Sequence, residues 1–247
     1  MEVIYLEEKV IGILGGMGPE ATADLFKRII RATPAEKDQD HIRVIIDSNP
    51  KIPDRTAAII GGGSSPLPEM TRTAKNLEKA GADLIIIPCN TAHHYYEELK
   101  RSVRIPILNM VELTAQTIKE IFPNVKRIGL IGTTGTVRAG IYNRALEKSG
   151  VEVIYPPEKL QDQVMEAIYG NVKAGRTLEG KEIIAKVATH LIEEGAEIII
   201  YGCTEVSLVL KSEDLPVPVV DPLQILAETA VAVSSPRRTN LSVEVSP

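Results

Sequence analysis

The chain is poor in residue types that whole classes of protein need. It has 247 residues but only two cysteines, four histidines and no tryptophan. So few thiols exclude a disulfide-stapled secreted scaffold and favour a reducing compartment. No apolar run approaches the roughly 20 residues that cross a bilayer. The N-terminal segment "MEVIYLEEKVIGIL" carries acidic residues where a signal peptide is basic. We therefore expect a cytoplasmic protein.

The chain also lacks concentrated positive charge. It has 28 Lys and Arg against 33 Asp and Glu, a net charge of −5. This balance excludes the basic footprint that binds nucleic acid or a membrane surface, so we expect a small-molecule partner. His93 and His94 are adjacent, and neither they nor the cysteines have the spacing of metal ligands. We expect no metal.

The chain contains several short apolar runs rich in β-branched residues. They do not alternate with polar residues, which is typical of parallel strands covered on both faces. Helical patterns lie between them, and over Pro19–Arg31 we expect Leu25, Phe26, Ile29 and Ile30 to form one apolar face. The alternation predicts an α/β fold with mostly parallel sheets. The predicted strands are Val10–Leu14, Val44–Asp47, Leu84–Pro88, Ile105–Leu108, Arg127–Gly132, Val151–Tyr155, Ile198–Gly202 and Val217–Val220.

The chain repeats itself once. "KVIGILGGMG" (9–18) is similar to "KRIGLIGTTG" (126–135), and "GADLIIIPCNTA" (81–92) to "GAEIIIYGCTEV" (195–206). "IPILNMVELTAQT" (105–117) matches "VPVVDPLQILAET" (217–229) in the same order and at nearly the same spacing. The period is far longer than that of solenoid repeats. We infer two related α/β halves that meet near residues 109–125.

The two cysteines occupy equivalent places in these halves. Cys89 and Cys203 each end an apolar run, and the carboxyl ends of parallel strands are where ligands bind. Small polar residues that can start a helix follow both thiols, so we expect a lowered pKa and a favoured thiolate. Two thiols that approach one cleft from opposite sides suit racemisation. One removes a proton from one face of a carbon, and the other supplies a proton to the opposite face.

The glycine-rich segment "GILGGMG" (12–18) does not have the spacing of a dinucleotide fingerprint. We expect its backbone N–H groups to approach a small carboxylate instead.

Seven motifs together carry a resemblance to a known family. They are "IGILGGMGPEAT" (11–22), "NPKIPDRT" (49–56), "PCNTAH" (88–93), "TTGT" (133–136), "VKAG" (172–175), "GCTE" (202–205) and "DP" (221–222). Over nearly all of residues 9–235 the chain resembles the aspartate/glutamate racemase family, and within it the cofactor-independent aspartate racemases. The resemblance implies that Cys89 and Cys203 are the catalytic acid–base pair, that no cofactor is needed and that the protein is a homodimer.

The resemblance also implies an architecture with the site between two pseudo-symmetric domains. The helix after the last strand of each domain packs on the other domain. We therefore predict a first domain of residues 1–108 plus 222–235, a second of residues 109–221, and a loosely ordered tail over 236–247.

The substrate implied is a small dicarboxylic amino acid. Arg55 and Lys173 align with the groups that hold its carboxylates, a task that suits a bidentate guanidinium and a point charge. Glu205 stands where glutamate racemases carry histidine, which favours aspartate. The predicted substrate-binding residues are Met17, Asn49, Arg55, Asn90, Thr91, Thr133, Thr136, Lys173, Thr204 and Glu205.

Several alternatives stay open on the sequence. A cysteine in an apolar run is commonly a packing residue, and duplication could copy one. The same motifs are compatible with a glutamate or dual-specificity racemase, a hydantoin racemase or a maleate isomerase. A dicarboxylate-binding module without catalysis would keep the two lobes but would not need the thiols.

Overall fold

Two parallel sheets form the centre of the chain, and the computed structural model describes residues 8–235. The predicted tail over 236–247 lies outside this range. The first sheet has strand order β2-β1-β3 and the second has order β5-β4-β6-β7, which confirms the predicted α/β class. The strands are β1 (Ile11–Gly15), β2 (Val44–Ser48), β3 (Leu84–Ile86), β4 (Arg127–Gly132), β5 (Glu152–Ile154), β6 (Ile198–Gly202) and β7 (Val219–Val220).

The two sheets repeat one pairing scheme, as the internal similarity predicts. β1 pairs with β2 and β3, and β4 pairs in the same parallel way with β5 and β6. In the first half a single bridge between Ile85 and Ile107 takes the place of β7. The strand predicted over Ile105–Leu108 is therefore wrong in extent. Pro106 has no N–H to donate, and only its carbonyl joins the ladder, accepting from the N–H of Ile85 at 2.9 Å.

Helices cover both faces of each sheet. Within residues 8–235, no helix is long and apolar enough to cross a membrane. The α-helices are α1 (Pro19–Ala32), α2 (Arg55–Ile59), α3 (Leu67–Lys79), α4 (Tyr96–Ser102), α5 (Met110–Ile121), α6 (Thr134–Ala139), α7 (Ile141–Leu146), α8 (Glu158–Met165), α9 (Thr177–Glu193), α10 (Thr204–Val209) and α11 (Pro222–Ser234). Short 3-10 helices span Asp38–Asp40, Thr91–Tyr95, Glu147–Ser149, Val172–Ala174 and Ser212–Asp214, and a π-helix spans Glu166–Asn171.

The two halves exchange a helix. α5 follows the first sheet but packs in the core of the second, where its Ile118 lies with Ile128. α11 follows the second sheet but packs in the core of the first, where Leu226 lies with Ile13. Each fully buried side chain of this size contributes about 1.5–3 kcal/mol. The exchange implied by the resemblance is thus present, and the domain bounds stay a prediction.

Only half of the apolar face predicted on α1 is buried. Leu25 and Ile29 are 0% and 1% exposed, whereas Phe26 and Ile30 are 36% and 41% exposed. Successive helical residues are about 100° apart around the helix axis. Phe26 and Ile30, which directly follow the two buried residues, therefore lie at the edge of the buried face. The four residues share one face as predicted, but only Leu25 and Ile29 on it are fully buried.

A buried histidine fixes the loop after β3. His93 is 6% exposed, and its Nδ1–H donates to the carbonyl oxygen of Cys89 at 2.8 Å. Its Nε2 accepts the backbone N–H of Met110 at 3.1 Å. Burial lowers the pKa of His93 to about 4, against the opposing effect of its backbone hydrogen bonds. The neutral ring therefore ties the peptide of Cys89 to the first residue of α5.

This histidine should make stability depend on pH. Its pKa is about 4 in the folded chain and about 6.5 in the unfolded one. The unfolded state therefore binds more protons between these values. The free energy of unfolding should fall by up to about 3 kcal/mol as pH drops from 6.5 to 4. His93→Gln should lose that part of the slope in urea denaturation followed by circular dichroism. The exposed neighbour gives the control, His94→Gln, which should keep it. An unchanged slope in His93→Gln would contradict this role.

Candidate active site

The two cysteines line one closed cavity between the sheets, which we call the inner cavity. Cys89 and Cys203 are free thiols, each 6% exposed. The inner cavity has a volume of about 10 Å³, which is room for about one water molecule. Both halves contribute its lining, which consists of Met17, Arg55, Thr56, Cys89, Asn90, Thr91, Thr133, Tyr169, Lys173, Cys203, Thr204 and Glu205.

Most of the residues predicted from the sequence meet at this cavity, and two do not. Asn49 is half-buried and does not line the cavity, and its side chain accepts the backbone N–H of Lys51 at 3.0 Å. Thr136 lies behind Thr133 in a buried hydroxyl cluster. Thr56 and Tyr169 line the cavity but were missed by the sequence reasoning. Thr56 follows Arg55 in the motif "NPKIPDRT" (49–56), so its place next to a predicted site residue could have identified it.

Strand ends and short helices place the first-half residues. Asp54 caps α2 by accepting the backbone N–H of Ala57 at 2.7 Å, which sets the position of Arg55 at the first turn. The guanidinium of Arg55 donates to the carbonyl of Met17 at 3.3 Å and so holds the β1–α1 loop. Burial lowers the pKa of Arg55, but the charges of Cys89 and Asp54 outweigh it, and the net pKa is raised. A permanent cation thus lies beside Cys89.

Two nitrogen donors of the cavity have no acceptor within residues 8–235. They are Nε of Arg55 and Nδ2 of Asn90, both buried. The amide oxygen of Asn90 accepts the hydroxyl of Tyr142, so its NH₂ group stays free to donate. A buried donor without a partner costs about 1–3 kcal/mol. Such donors mark where an acceptor group of a ligand would be stabilised.

Cys203 has a different environment. Its thiol donates to Oε2 of Glu205 at 2.9 Å, and Oε1 of the same carboxylate lies 3.8 Å from Nζ of Lys173. Burial and the charge of Glu205 raise the pKa of Cys203 well above its usual range, and the charge of Lys173 only partly opposes them. The expectation of a lowered pKa is therefore wrong for this thiol. Desolvation and a neighbouring carboxylate outweigh the dipole of α10, a helix of six residues.

A cluster of threonine hydroxyls joins the halves beneath the cavity. Thr91 lies 3.0 Å from Thr133 and 2.9 Å from Thr136, and Thr56 donates to Thr133 at 3.1 Å. Gly135 permits this contact, because a Cβ atom there would lie 2.8 Å from Cα of Thr56. The first-half and second-half loops therefore meet without a gap.

A wider cleft of about 400 Å³ lies outside the inner cavity, and Arg55, Lys173 and Glu205 line both. Tyr169, in the π-helix, donates to Oδ2 of Asp54 across the two halves at 2.9 Å. Nζ of Lys173 sits 4.1 Å from the centre of the Tyr169 ring. The inner cavity is too small for an amino acid, so it must widen before such a ligand can contact both thiols.

Among residues 8–235, no group of three or more His, Cys, Asp or Glu side chains is placed to hold a metal ion. The chemistry available at the inner cavity is proton transfer by two thiols beside two cations.

Comparisons with known proteins show what the chain is similar to. The sequence model of the family Asp/Glu/Hydantoin racemase matches residues 14–230. The chain is 32% identical to "Broad specificity amino-acid racemase RacX" of Bacillus subtilis (strain 168) over 90% of its own length and 97% of that protein's. The structure of an aspartate racemase from Picrophilus torridus superposes with a TM-score of 0.83, at 33% identity, over 92% of this chain and 94% of that one. A putative Asp/Glu racemase from Yersinia pestis gives a TM-score of 0.75 at 27% identity, over 92% and 99%.

Loss of the hydrogen bond between Tyr169 and Asp54 should open the inner cavity more often. Tyr169→Phe keeps the ring under Lys173 but removes the hydroxyl, a loss of about 1.5–3 kcal/mol for a hydrogen bond to a carboxylate. We expect both thiols to react about tenfold to a hundredfold faster with iodoacetamide, measured by mass spectrometry. The matched control is Tyr155→Phe, because that hydroxyl bonds Asn143 within one half. Equal rates in the two variants would contradict the role of Tyr169 in closure.

Proposed function

The chain belongs to the Asp/Glu/hydantoin racemase family, and from this premise we propose that it interconverts L- and D-aspartate without a cofactor. Membership of this family makes the chain an isomerase. The observation that carries the proposal is the inner cavity itself. Cys89 and Cys203, from equivalent ends of two related sheets, line it together with the buried donors of Arg55 and Asn90.

The proposed reaction is a 1,1-proton transfer at Cα. One cysteine as thiolate removes the Cα proton, and the other as thiol delivers a proton to the opposite face of the carbanion. The carbanion has no electron sink such as pyridoxal phosphate would supply, so fixed charges must stabilise the negative charge that spreads onto the carboxylate. The cation of Arg55 and the NH₂ group of Asn90 are the candidates, and exclusion of water strengthens both.

The charges at the cavity support a dicarboxylic substrate. Arg55 comes from the first half and Lys173 from the second, and both line the inner cavity and the outer cleft. Each can hold one carboxylate. Glu205 is 4% exposed, and its carboxylate gives the ammonium group of an amino acid a counter-charge. These three roles are part of the proposal.

Aspartate is the proposed substrate for two reasons. Glu205 replaces the histidine of glutamate racemases, and the chain is similar over 92% of its length to the aspartate racemase of Picrophilus torridus. The similarity to a broad-specificity racemase supports a second candidate, in which several amino acids are racemised. Both candidates use the same two thiols.

Incubation with single enantiomers separates these candidates. The purified protein without added cofactor should form D-aspartate from L-aspartate and the reverse, as measured by chiral chromatography, and should act more weakly on glutamate. Comparable rates on neutral amino acids would favour the broad-specificity candidate. Inert aspartate and glutamate, with turnover of a hydantoin or of maleate, would exclude the proposed function.

Removal of either thiol should stop racemisation. Cys89→Ala and Cys203→Ala should each lower kcat by about 10²–10⁴-fold in both directions, because general acid–base groups contribute that much and each direction needs both. Circular dichroism should show folded proteins, since each change only removes a sulfur atom. Racemisation at an appreciable rate in either variant would rule out the two-base scheme.

A further inference from the structure

The duplication is broken two residues after each cysteine. "PCNTA" (88–92) and "GCTEV" (202–206) align, so Thr91 corresponds to Glu205. Thr91 turns its hydroxyl to Thr133 and Thr136. Glu205 instead accepts the S–H hydrogen of Cys203 at 2.9 Å. The two thiols are equivalent in the fold but differ in their partner.

We propose that Glu205 is a positioning residue that keeps the proton on Cys203 in the resting enzyme, so that Cys89 is the cysteine that acts first as a base. This inference rests on the proposed function, because it assigns an order to the same two thiols. A thiol donates a hydrogen bond only when it is protonated. A carboxylate in contact with the sulfur disfavours a second negative charge there.

The other charged and titratable groups around Cys203 do not reverse the preference of this thiol for its protonated form. Lys173 is the nearest cation, but its Nζ lies 3.8 Å from Glu205 and is shared with that carboxylate and the ring of Tyr169. The Tyr169 hydroxyl is engaged by Asp54. Arg55 has its charge beside Cys89. Thus the cation of Arg55 lies beside Cys89, whereas the carboxylate of Glu205 contacts Cys203.

The proton balance of one turnover follows from this order. The Cys89 thiolate takes the Cα proton and becomes a thiol. The Cys203 thiol gives its proton to the other face of the carbanion and becomes a thiolate beside Glu205. The enzyme then differs from its resting form by one proton moved from Cys203 to Cys89. The charge of Lys173 is in position to stabilise this second form until the proton returns through solvent or through the reverse reaction.

Titration of the single thiol tests the role of Glu205 directly. In a Cys89→Ser background, the ultraviolet absorbance of the thiolate reports the pKa of Cys203. Glu205→Gln, which keeps the shape and removes the charge, should lower that pKa by about one unit or more. Glu205→Asp should keep it high. The matched control is Glu213→Gln, an exposed carboxylate of the same half. An unchanged titration in Glu205→Gln would overturn the proposal.

A measurement on the unaltered protein covers the case in which Glu205→Gln does not fold. Limited alkylation by iodoacetamide, read by mass spectrometry, compares two thiols that share one cavity. Cys89 should react about tenfold faster than Cys203, because the thiolate is the reactive form. Equal rates, or faster reaction of Cys203, would overturn the proposal. Neither test uses a substrate, so a protein inert toward aspartate would contradict the proposed function alone.

Discussion

Each sheet completes its hydrophobic core with a helix from the other half, and the rest of the structure depends on this exchange. α5 and α11 bury apolar side chains against the sheet that they do not follow. The halves are therefore fixed with the carboxyl ends of β3 and β6 turned to one common space. Ligands of parallel sheets bind at those ends. Each half supplies only part of the lining of the inner cavity, and the exchange of helices brings the two parts together.

The inner cavity has little room for water, so neighbouring side chains must compensate the charges of the groups that line it. Arg55 lies beside Cys89, and Glu205 contacts Cys203 and Lys173. The proposed two-base reaction needs one thiolate and one thiol at the start of each turnover. The duplicated scaffold provides two similar thiols, and the residues around them differ in charge, with a cation beside Cys89 and a carboxylate beside Cys203. The hydrogen bond from Tyr169 to Asp54 ties the two halves together beside this cavity.

Local sequence patterns predicted the sheets, the duplication and the meeting of the two cysteines, because apolar runs and strand ends are local properties. Features that depend on tertiary contacts were missed. The pKa of Cys203 is raised by its burial and by Glu205, which no local pattern shows. Tyr169 escaped notice because it lies in a π-helix and meets Asp54 from the distant first half. The exposure of Phe26 depends on which elements pack against α1, and the local sequence pattern does not give these neighbours.

The most direct test of the central claim is the fate of the Cα hydrogen of L-aspartate in D₂O, followed by NMR and chiral analysis at low conversion. If the thiols act on opposite faces, the first D-aspartate formed carries deuterium at Cα, while the remaining L-aspartate keeps its hydrogen. D-aspartate that retains the original Cα hydrogen would show that a single group serves both faces and would contradict the account.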